Sequence, residues 1–394
     1  MDGLKEKIEV AFLHPRLLLG GAEKVSYDTT LLFNKWGIHS TFFTGLLVKE
    51  QFPTCPEAYD IELLPKGKFL SHEQIEFIIS KIQERNIKIL FLVCNLNVLP
   101  TEIQERTGCK LVCWLHSVPF WEVRYKMGHK IAKYRNYPKK VLSPIVNLYL
   151  KRKLQTYKEK VLRRYHNNFV GCDAYIVLCE GYKKELMHDL HLDNDASSKI
   201  YPILNTLEIK QDVNLKKKKE IIYMGRLAYP DKRVDRIVDI WKLIYQRLPE
   251  WTFKIYGVGE EEPFLRKQIK KNHLERIVLA GYAANPAEIY ENASILCLTS
   301  SYEGIPMAAI EGQNHGVIPV MFNCTFGVQH VVGEEAGILV TPFDLEEYAQ
   351  KLYELCADST LQERLRNNCL QKRKEYAFGV NDDIWRNLLN NLLR

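Results

Sequence analysis

The chain has 394 residues, of which 46% are hydrophobic and 26% charged, and its formal net charge is +7. This is the composition of an ordinary globular protein, and the length suits two domains. The sequence contains no run of about 18 uncharged apolar residues, and residues 1–7 lack the pattern of a secretory leader. We therefore expect no transmembrane helix and a cytoplasmic location.

The ten cysteines do not form a disulfide or metal-binding pattern. No pair has C-x-x-C spacing, and most of them, such as Cys113, Cys179 and Cys297, fall inside apolar, strand-like runs. We predict buried free thiols in a reducing compartment, and we expect neither a metal nor a cofactor.

Short apolar strands alternate with amphipathic helices along the first half of the chain. Strands are predicted at 8–13, 40–44, 87–93, 110–115 and 174–178, and helices at 22–36, 73–84 and 181–190. This alternation predicts a parallel, doubly wound α/β sheet.

A linker containing Pro202 and the lysine run 216–219 leads into a second array of the same kind. Its predicted strands are 220–224, 251–256, 276–279, 295–299 and 317–322, and its helices are 233–248, 263–271, 306–313 and 345–357. The predicted fold is therefore α/β, with two Rossmann-like domains at 1–203 and 204–378. Ligands of such sheets bind at the carboxyl ends of the strands, so we expect the site in the cleft between the domains.

The most informative motif is SSYEGIPMAAIE at 300–311, which follows a predicted strand and begins a helix with a proline. Gly304 lets the chain turn and allows a ligand to approach the backbone. The amides of Met307 and Ala308, in the first helical turn, suit a diphosphate. Glu311 can accept hydrogen bonds from a ribose diol.

Two basic residues follow another strand of the same array. Gly225 and Arg226 come directly after the strand at 220–224, and Lys232 lies six residues further on. Fixed cations at this position can neutralise a departing diphosphate without a metal ion. Solvated surface charge is the alternative, but the position upstream of the glutamate motif favours a functional role.

Three residues of the first array lie at the corresponding sheet edge. Gly20 and Gly21 follow the first strand at a helix start, where they either make a tight turn or admit a sugar or phosphate. His116 follows the strand at 110–115 and is predicted to have a functional role.

Gly257-Val258-Gly259 also lies between a strand and a helix, as in a dinucleotide site. The third glycine of that fingerprint is replaced by Glu262, whose carboxylate would repel a pyrophosphate. The sequence therefore argues against a nicotinamide or flavin site.

Positive charge is concentrated in residues 120–165, which contain fourteen Lys or Arg against two Glu, with six tyrosines interleaved. Such a segment favours an anionic membrane surface or another polyanion. A solvated helical face is the alternative. We do not expect nucleic acid as a partner, because it would leave the glutamate motif unexplained.

Taken together, these residues resemble the retaining glycosyltransferases of family 4, also called glycosyl transferases group 1, which have the two-domain GT-B fold. The resemblance covers nearly the whole chain and is most specific in the E-x7-E spacing of Glu303 and Glu311. Gly312 is a departure, because that family usually has alanine there.

The resemblance implies the roles of the site residues. It places Glu303 near the sugar hydroxyls, Glu311 on the ribose and Gly281 against the base. It also implies that a final helix within 379–394 packs back onto the first domain. The implied catalytic residues are His116, Arg226, Lys232 and Glu303; the implied donor-binding residues are Gly20, Gly21, Gly225, Gly281, Tyr282, Gly304, Ile305, Met307, Ala308 and Glu311.

The predicted function is retaining transfer of a sugar from a nucleoside-diphosphate sugar, by default a UDP-sugar, to a lipid-linked or glycan acceptor. Surface polysaccharide or glycolipid synthesis in a bacterium fits this resemblance, with a peripheral position at the inner membrane face through residues 120–165. Two alternatives stay open: a nucleotide-sugar epimerase of the same fold and a non-catalytic polyanion binder.

Overall fold

A computed structural model of the chain describes residues 8–18, 20–48, 52–53, 55–93, 96–133 and 144–394, with residues 128–133 and 144–151 described by their backbone alone. The chain folds into two compact units. The first contains the described residues of Met1–Pro119, Glu159–Thr206 and Asn381–Arg394, and the second contains those of Phe120–Lys158 and Leu207–Val380.

Each unit contains one parallel sheet. The strands of the first are β1 Glu9–His14, β2 His39–Thr44, β3 Tyr59–Leu63, β4 Ile87–Leu92, β5 Lys110–Trp114, β6 Ala174–Val177 and β7 Ile200–Pro202. Their order is β3-β2-β1-β4-β5-β6-β7. The strands of the second are β8 Glu220–Met224, β9 Thr252–Tyr256, β10 Ile277–Gly281, β11 Ile295–Leu298, β12 Ile318–Phe322 and β13 Ile338–Val340, in the order β10-β9-β8-β11-β12-β13. In each sheet the strand order changes direction beside the first strand of the unit, β1 or β8, as in doubly wound folds.

The helices connect these strands. They are α1 Gly21–Lys35, α2 His72–Arg85, α3 Thr101–Thr107, α4 Trp121–Lys133, α5 Pro144–Gly171, α6 Glu180–Asp189, α7 Asp235–Ile244, α8 Glu262–Lys271, α9 Pro286–Asn292, α10 Met307–Asn314, α11 Phe326–Val332, α12 Leu345–Ala357, α13 Ser359–Lys372 and α14 Asp382–Leu392. None of the described helices combines the length and the unbroken apolar character needed to cross a bilayer.

An aromatic cluster forms the core of the first unit. The rings of Phe12 on β1 and Phe91 on β4 stack with their centroids 4.9 Å apart. Trp385 of α14 meets both Phe33 of α1 and Trp114 of β5 edge to face, each at 5.2 Å. Helix α14 therefore supplies part of the core of the first unit, using apolar residues spaced three or four apart.

The core of the second unit is built from fully buried strands and capped helices. Every residue of β11 and β12 is buried, as expected for parallel strands covered on both faces. Helix α12 is fixed at its start by Asp344, whose carboxylate accepts hydrogen bonds from the amides of Glu346 and Glu347 at 3.1 and 3.0 Å. The hydroxyl of Tyr348 then ties this helix to β12 by donating to the Val320 carbonyl at 2.5 Å.

Two predicted helix starts differ from the structure. The helix predicted from residue 233 begins at Asp235, because Arg233 has the left-handed φ of +48°. The helix predicted from Pro306 begins at Met307, because Pro306 has an extended ψ of 93° and is the N-cap. Elements that the sequence patterns did not indicate include β3, β13, α3, α9, α11 and α13, most of them only three to seven residues long.

The observed units also differ from the predicted domain ranges in one segment. The sequence-based range of 1–203 placed residues 120–158 in the first domain. In the structure the described residues of Phe120–Lys158 belong to the second unit, although this segment lies between β5 and β6 of the first unit in sequence.

Candidate functional site

The carboxyl ends of three strands of one parallel sheet bring the predicted residues of the second unit to one sheet edge. Gly225 and Arg226 follow β8, Tyr282 follows β10, and the glutamate motif follows β11. All these strands run in the same direction, so the residues that follow them share the edge at which ligands of such sheets bind.

Glu303 and Lys232 form the centre of this edge. The Lys232 ammonium donates to both carboxylate oxygens of Glu303, at 2.7 and 2.9 Å. Glu303 is only 8% exposed, and its carboxylate also accepts from the Ser300 hydroxyl at 2.6 Å. The Thr325 hydroxyl donates to its backbone carbonyl at 2.9 Å. The carboxylate is therefore held in one orientation beside a fixed cation.

Arg226 lies on the exposed rim of the same edge. Its side chain is 71% exposed and donates to the Asp231 carboxylate at 2.8 Å. The backbone carbonyl of Asp231 in turn accepts from the amide of Ser301 at 2.7 Å, which joins this loop to the start of the glutamate motif. The sequence prediction did not include Asp231, and it gave no role to Ser300, the first residue of the motif at 300–311.

The pKa of Tyr302 is affected by the charges of Asp231, Glu303 and Arg226. Burial is the main cause that raises its pKa, and the negative charges of Asp231 and Glu303 raise it further, while Arg226 lowers it. The phenol therefore stays protonated at neutral pH and lies near Asp231, Glu303 and Arg226.

Helix α10 points its N-terminus at this edge. Gly304 and Ile305 form the turn before it, and the Ile305 side chain is buried. Met307 and Ala308 occupy the first turn of this helix. The helix dipole adds a partial positive charge at the same place, so the geometry suits an anion.

Glu311 is the fifth residue of α10 and is half-buried. Its carboxylate accepts from the Tyr290 hydroxyl at 3.2 Å, and its backbone carbonyl bonds the His315 ring at 2.9 Å. The Tyr290 and His315 rings stack with centroids 5.6 Å apart. Burial, followed by the negative Glu311, raises the pKa of Tyr290 well above its usual value, so that hydroxyl remains a donor to the carboxylate.

The glycines near this edge allow loops to approach one another. A Cβ on Gly257 would overlap the carbonyl oxygen of Gly225, and one on Gly259 would overlap that of Leu227. The Gly-Val-Gly motif therefore has a packing role against the loop that carries Arg226. Gly281 has a φ of +76°, with open space where a Cβ would be, and Tyr282 beside it is 73% exposed.

In the first unit, the two glycines and the predicted histidine also lie at the carboxyl edge of the sheet. Gly20 is the N-cap of α1 and Gly21 its first residue, with no atom within 4 Å of a Cβ added to Gly21. His116 follows β5, and neither of its buried ring nitrogens has a hydrogen-bond partner among the described residues. Its ring packs on Trp114 with the centroids 4.4 Å apart.

His14, which the sequence prediction did not select, is a second histidine at this edge. It ends β1, is 2% exposed, and its Nε2 lies 3.0 Å from the Ser26 hydroxyl. Burial lowers the pKa of His14 to about 3. Burial, followed by His14, lowers that of His116 to about 3. Both rings are therefore neutral near pH 7, and His116 can exchange hydrogen bonds but does not act there as a charged acid.

One group of potential metal ligands occurs among the described residues, on helices α2 and α3 of the first unit. One ligand atom from each of His72, Glu76 and Glu102 lies within 4.8 Å of the others. Arg106 donates to the carboxylates of Glu76 and Glu102, at 2.9 Å in each case. An arginine therefore already neutralises both carboxylates.

The basic segment 120–165 forms α4 and most of α5, while residues 134–143 lie outside the described part of the chain. The prediction that this segment contacts an anionic membrane surface therefore stays a prediction.

Comparison with known proteins identifies the sequence class that the second unit resembles. Residues 205–372 match the family described as glycosyl transferases group 1. The chain is 29% identical over 187 residues to the amylovoran biosynthesis glycosyltransferase AmsD of Erwinia amylovora, a match that covers 47% of this chain and 52% of that protein. It is 30% identical over 220 residues to an uncharacterized glycosyltransferase of Haemophilus influenzae, with 55% and 61% coverage. The chain thus spans between half and two thirds of these relatives.

The fold is shared over almost the whole chain. The structure of Anabaena HepE in complex with UDP and glucose superposes with a TM-score of 0.73 at 16% identity, and the match covers 97% of this chain and 100% of that one. This similarity establishes that the two parallel α/β units have the GT-B fold.

Proposed function

We propose that the chain is a retaining glycosyltransferase that moves a sugar from a nucleoside-diphosphate sugar, with UDP as the default nucleotide, onto a lipid-linked or glycan acceptor. The observation that carries this proposal is the Lys232–Glu303 ion pair at the start of the motif that leads into α10. The family match over residues 205–372 and the UDP in the complex of Anabaena HepE support it. The Erwinia relative is named for polysaccharide synthesis, which supports a role in a surface glycan pathway.

In the proposed complex the nucleotide lies along the carboxyl edge of the second unit. Glu311 accepts hydrogen bonds from the ribose diol, and Gly281 and Tyr282 adjoin the base. The first-turn amides of α10, at Met307 and Ala308, hold the diphosphate. Glu303 orients the sugar through its hydroxyl groups, and its own bonds to Ser300 and Lys232 fix its direction.

The chemical step breaks the bond between the anomeric carbon and the distal phosphate. The acceptor hydroxyl forms its bond on the face that the phosphate leaves, and the departing phosphate oxygen takes the acceptor proton. Arg226 and Lys232 neutralise the charge that develops on the phosphate, as fixed donors do in other transferases. Neutral His116 bonds a substrate hydroxyl. Since these cations replace a metal, the proposed activity persists in EDTA and does not rise on adding magnesium.

Nucleotide binding provides the direct test. UDP, GDP and ADP are added to the wild type, and the free energy of unfolding is measured. The proposal expects one of them to stabilise the protein by about 2.7 kcal/mol at one hundred times its dissociation constant. Glu311→Ala should lose that stabilisation, while Glu354→Ala, a matched exposed glutamate on α12, should keep it. No stabilisation by any of the three, or an unchanged response in Glu311→Ala, contradicts the proposal.

A further inference from the structure

A cavity of about 640 Å³ lies at the amino edge of the sheet of the second unit. Its lining comes from the loop before β8, from the residues that precede β9 and β11, and from the end of α12 and the start of α13. The candidate site described above follows the carboxyl ends of the same parallel sheet. A strand of five residues, such as β8, is about 16 Å long, so the two sites occupy opposite edges of the sheet.

Positive charge dominates the lining of this cavity. Its cations are Lys216, Lys217, Lys219 and Arg366, and Glu363 is the one carboxylate among the described residues that line it. Lys219 forms an ion pair with Glu250, which is not a lining residue. The other three cations form no ion pair within the described part of the chain. The cavity therefore contains more positive charge than its own residues neutralise.

Arg366 is a buried arginine without a carboxylate partner. It is only 7% exposed, and one of its terminal nitrogens donates to the Gly316 carbonyl at 2.6 Å. An arginine has five N–H donors, and the other donors of Arg366 meet no acceptor among the described residues. Burial lowers its pKa. Because buried arginines are normally paired with an anion, this guanidinium is held in place but not neutralised.

Lys217 is held in a similar way. Its ammonium donates to the backbone carbonyls of Tyr290 and Glu291, at 2.8 and 2.9 Å. Burial, followed by the positive charge of Arg366, lowers its pKa to about 8, and the Glu291 carboxylate, which is paired with Lys210, opposes this. Lys217 and Arg366 are thus anchored by neutral carbonyls and are close enough to repel each other.

A phosphate group matches this set of cations. Near pH 7 a phosphate monoester has a charge between −1.5 and −2, about twice that of a carboxylate, so it can neutralise two unpaired cations. The guanidinium fork suits two phosphate oxygens, and an ammonium supplies a point charge to another. The cavity volume lies within the range for small-molecule pockets, about 300–1,000 Å³, and leaves room for an organic group beside the phosphate.

We infer that the cavity lined by Lys216, Lys217 and Arg366 is an anion site that binds the phosphate group of a small molecule, either inorganic phosphate or a phosphate monoester. The site is separate from the candidate nucleotide site, so it goes beyond the proposed function and does not depend on it. Its ligand removes the repulsion between two buried cations and joins the loop before β8 to α13.

Isothermal titration calorimetry at constant ionic strength tests this site. The probes are inorganic phosphate and glucose 6-phosphate, with glucose as the uncharged control. The wild type should bind at least one of the two phosphates, and the tighter one identifies the source of the phosphate group. Arg366→Met should weaken that binding by about tenfold or more, because charge-assisted hydrogen bonds are lost.

Two exposed residues allow the charge of the cavity to be changed without altering its buried groups. Lys216→Gln should weaken phosphate binding by about two- to fivefold, as loss of an exposed charge does. Glu363→Gln should tighten binding, because it removes the carboxylate that repels phosphate. The matched controls Lys267→Gln on α8 and Glu354→Gln on α12 are also at exposed positions and should leave binding unchanged.

Lys232→Ala separates this cavity from the candidate nucleotide site, and thermal unfolding checks that each variant is folded. Phosphate binding that survives in Lys232→Ala and weakens in Arg366→Met and Lys216→Gln supports the inference. Binding that is lost in Lys232→Ala and unchanged in Arg366→Met assigns the phosphate to the carboxyl edge and overturns it. Absence of binding by the wild type overturns it as well.

The exposed variants keep the test decisive if Arg366→Met does not fold. Unchanged phosphate binding in both Lys216→Gln and Glu363→Gln then overturns the inference. Stabilisation by UDP without phosphate binding removes this inference and leaves the proposed function standing. Phosphate binding with the expected variant pattern, without stabilisation by any nucleotide, supports the anion site and contradicts the proposed function.

Discussion

At the scale of single residues, Glu303 keeps Lys232 in place before any substrate arrives. The lysine has both carboxylate oxygens as acceptors, and the glutamate is almost fully buried. A long lysine side chain without such an anchor would lose considerable rotamer entropy when it bound a phosphate. The ion pair therefore preorganises a cation that the proposed reaction needs.

Replacing Lys232 by alanine should lower turnover by about two to three powers of ten, because a fixed charge that stabilises the departing phosphate is lost. Arg226→Ala should have an effect in the same range. Turnover with saturating donor is the measurement, and Lys351→Ala is the control, because this lysine is on α12 and its side chain forms an ion pair with Glu347. Near-wild-type turnover in both Lys232→Ala and Arg226→Ala would refute the role given to these cations.

The neutral histidines of the first unit predict how stability depends on pH. In the folded chain the pKa values of His14 and His116 are about 3, whereas an unfolded histidine has a pKa near 6.5. Between these values the unfolded chain binds protons that the folded chain does not, so stability falls as the pH drops below about 6.5. Each histidine contributes at most about 1.4 kcal/mol per pH unit.

Denaturant unfolding at pH 7 and pH 5 measures this loss of stability. His116→Gln should reduce the difference between the two pH values, because it removes one of the two groups. His188→Gln provides the control, since the His188 side chain is 85% exposed. An equal pH dependence in wild type and His116→Gln would show that His116 is protonated equally in both states.

At the scale of elements, the loop after β8 is held by the loop after β9. The amide of Gly225 donates to the Tyr256 carbonyl at 3.1 Å, and the amide of Leu227 donates to the Val258 carbonyl at 3.0 Å. Gly257 and Gly259 leave room for these backbones to meet. The position of Arg226 therefore depends on two glycines that are distant from it in sequence.

Gly257→Ala should destabilise the second unit by about 1–3 kcal/mol and weaken nucleotide binding, since its Cβ would displace the loop that carries Arg226. Gly312→Ala is the matched comparison. Gly312 lies inside α10, and a Cβ added to it would make ordinary van der Waals contacts at 3.5 Å. Alanine is also more favourable than glycine inside a helix, by up to about 1 kcal/mol. Unfolding and nucleotide titration of both variants test this contrast, and equal effects would contradict it.

At the scale of the whole molecule, local patterns predicted the two sheets and much of the candidate site. Alternating apolar strands and amphipathic helices are repeated signals, and the Glu303–Glu311 spacing lies within one short segment. His14, Asp231 and the packing role of Gly257 were not predictable, because each depends on a contact between distant segments. The same limit applies to residues 120–158, whose membership of the second unit depends on contacts that their composition does not reveal.

The position of Trp385 in the first unit has a consequence for biosynthesis. Its ring fills the space beside Phe33, Phe91 and Trp114, which the ribosome produces hundreds of residues earlier. Residues 207–380, which belong to the second unit, are all translated in between. The second unit can therefore fold as soon as it emerges from the ribosome. The first unit, although translated first, must wait with an incomplete aromatic core until α14 leaves the exit tunnel, and it is therefore the last to mature.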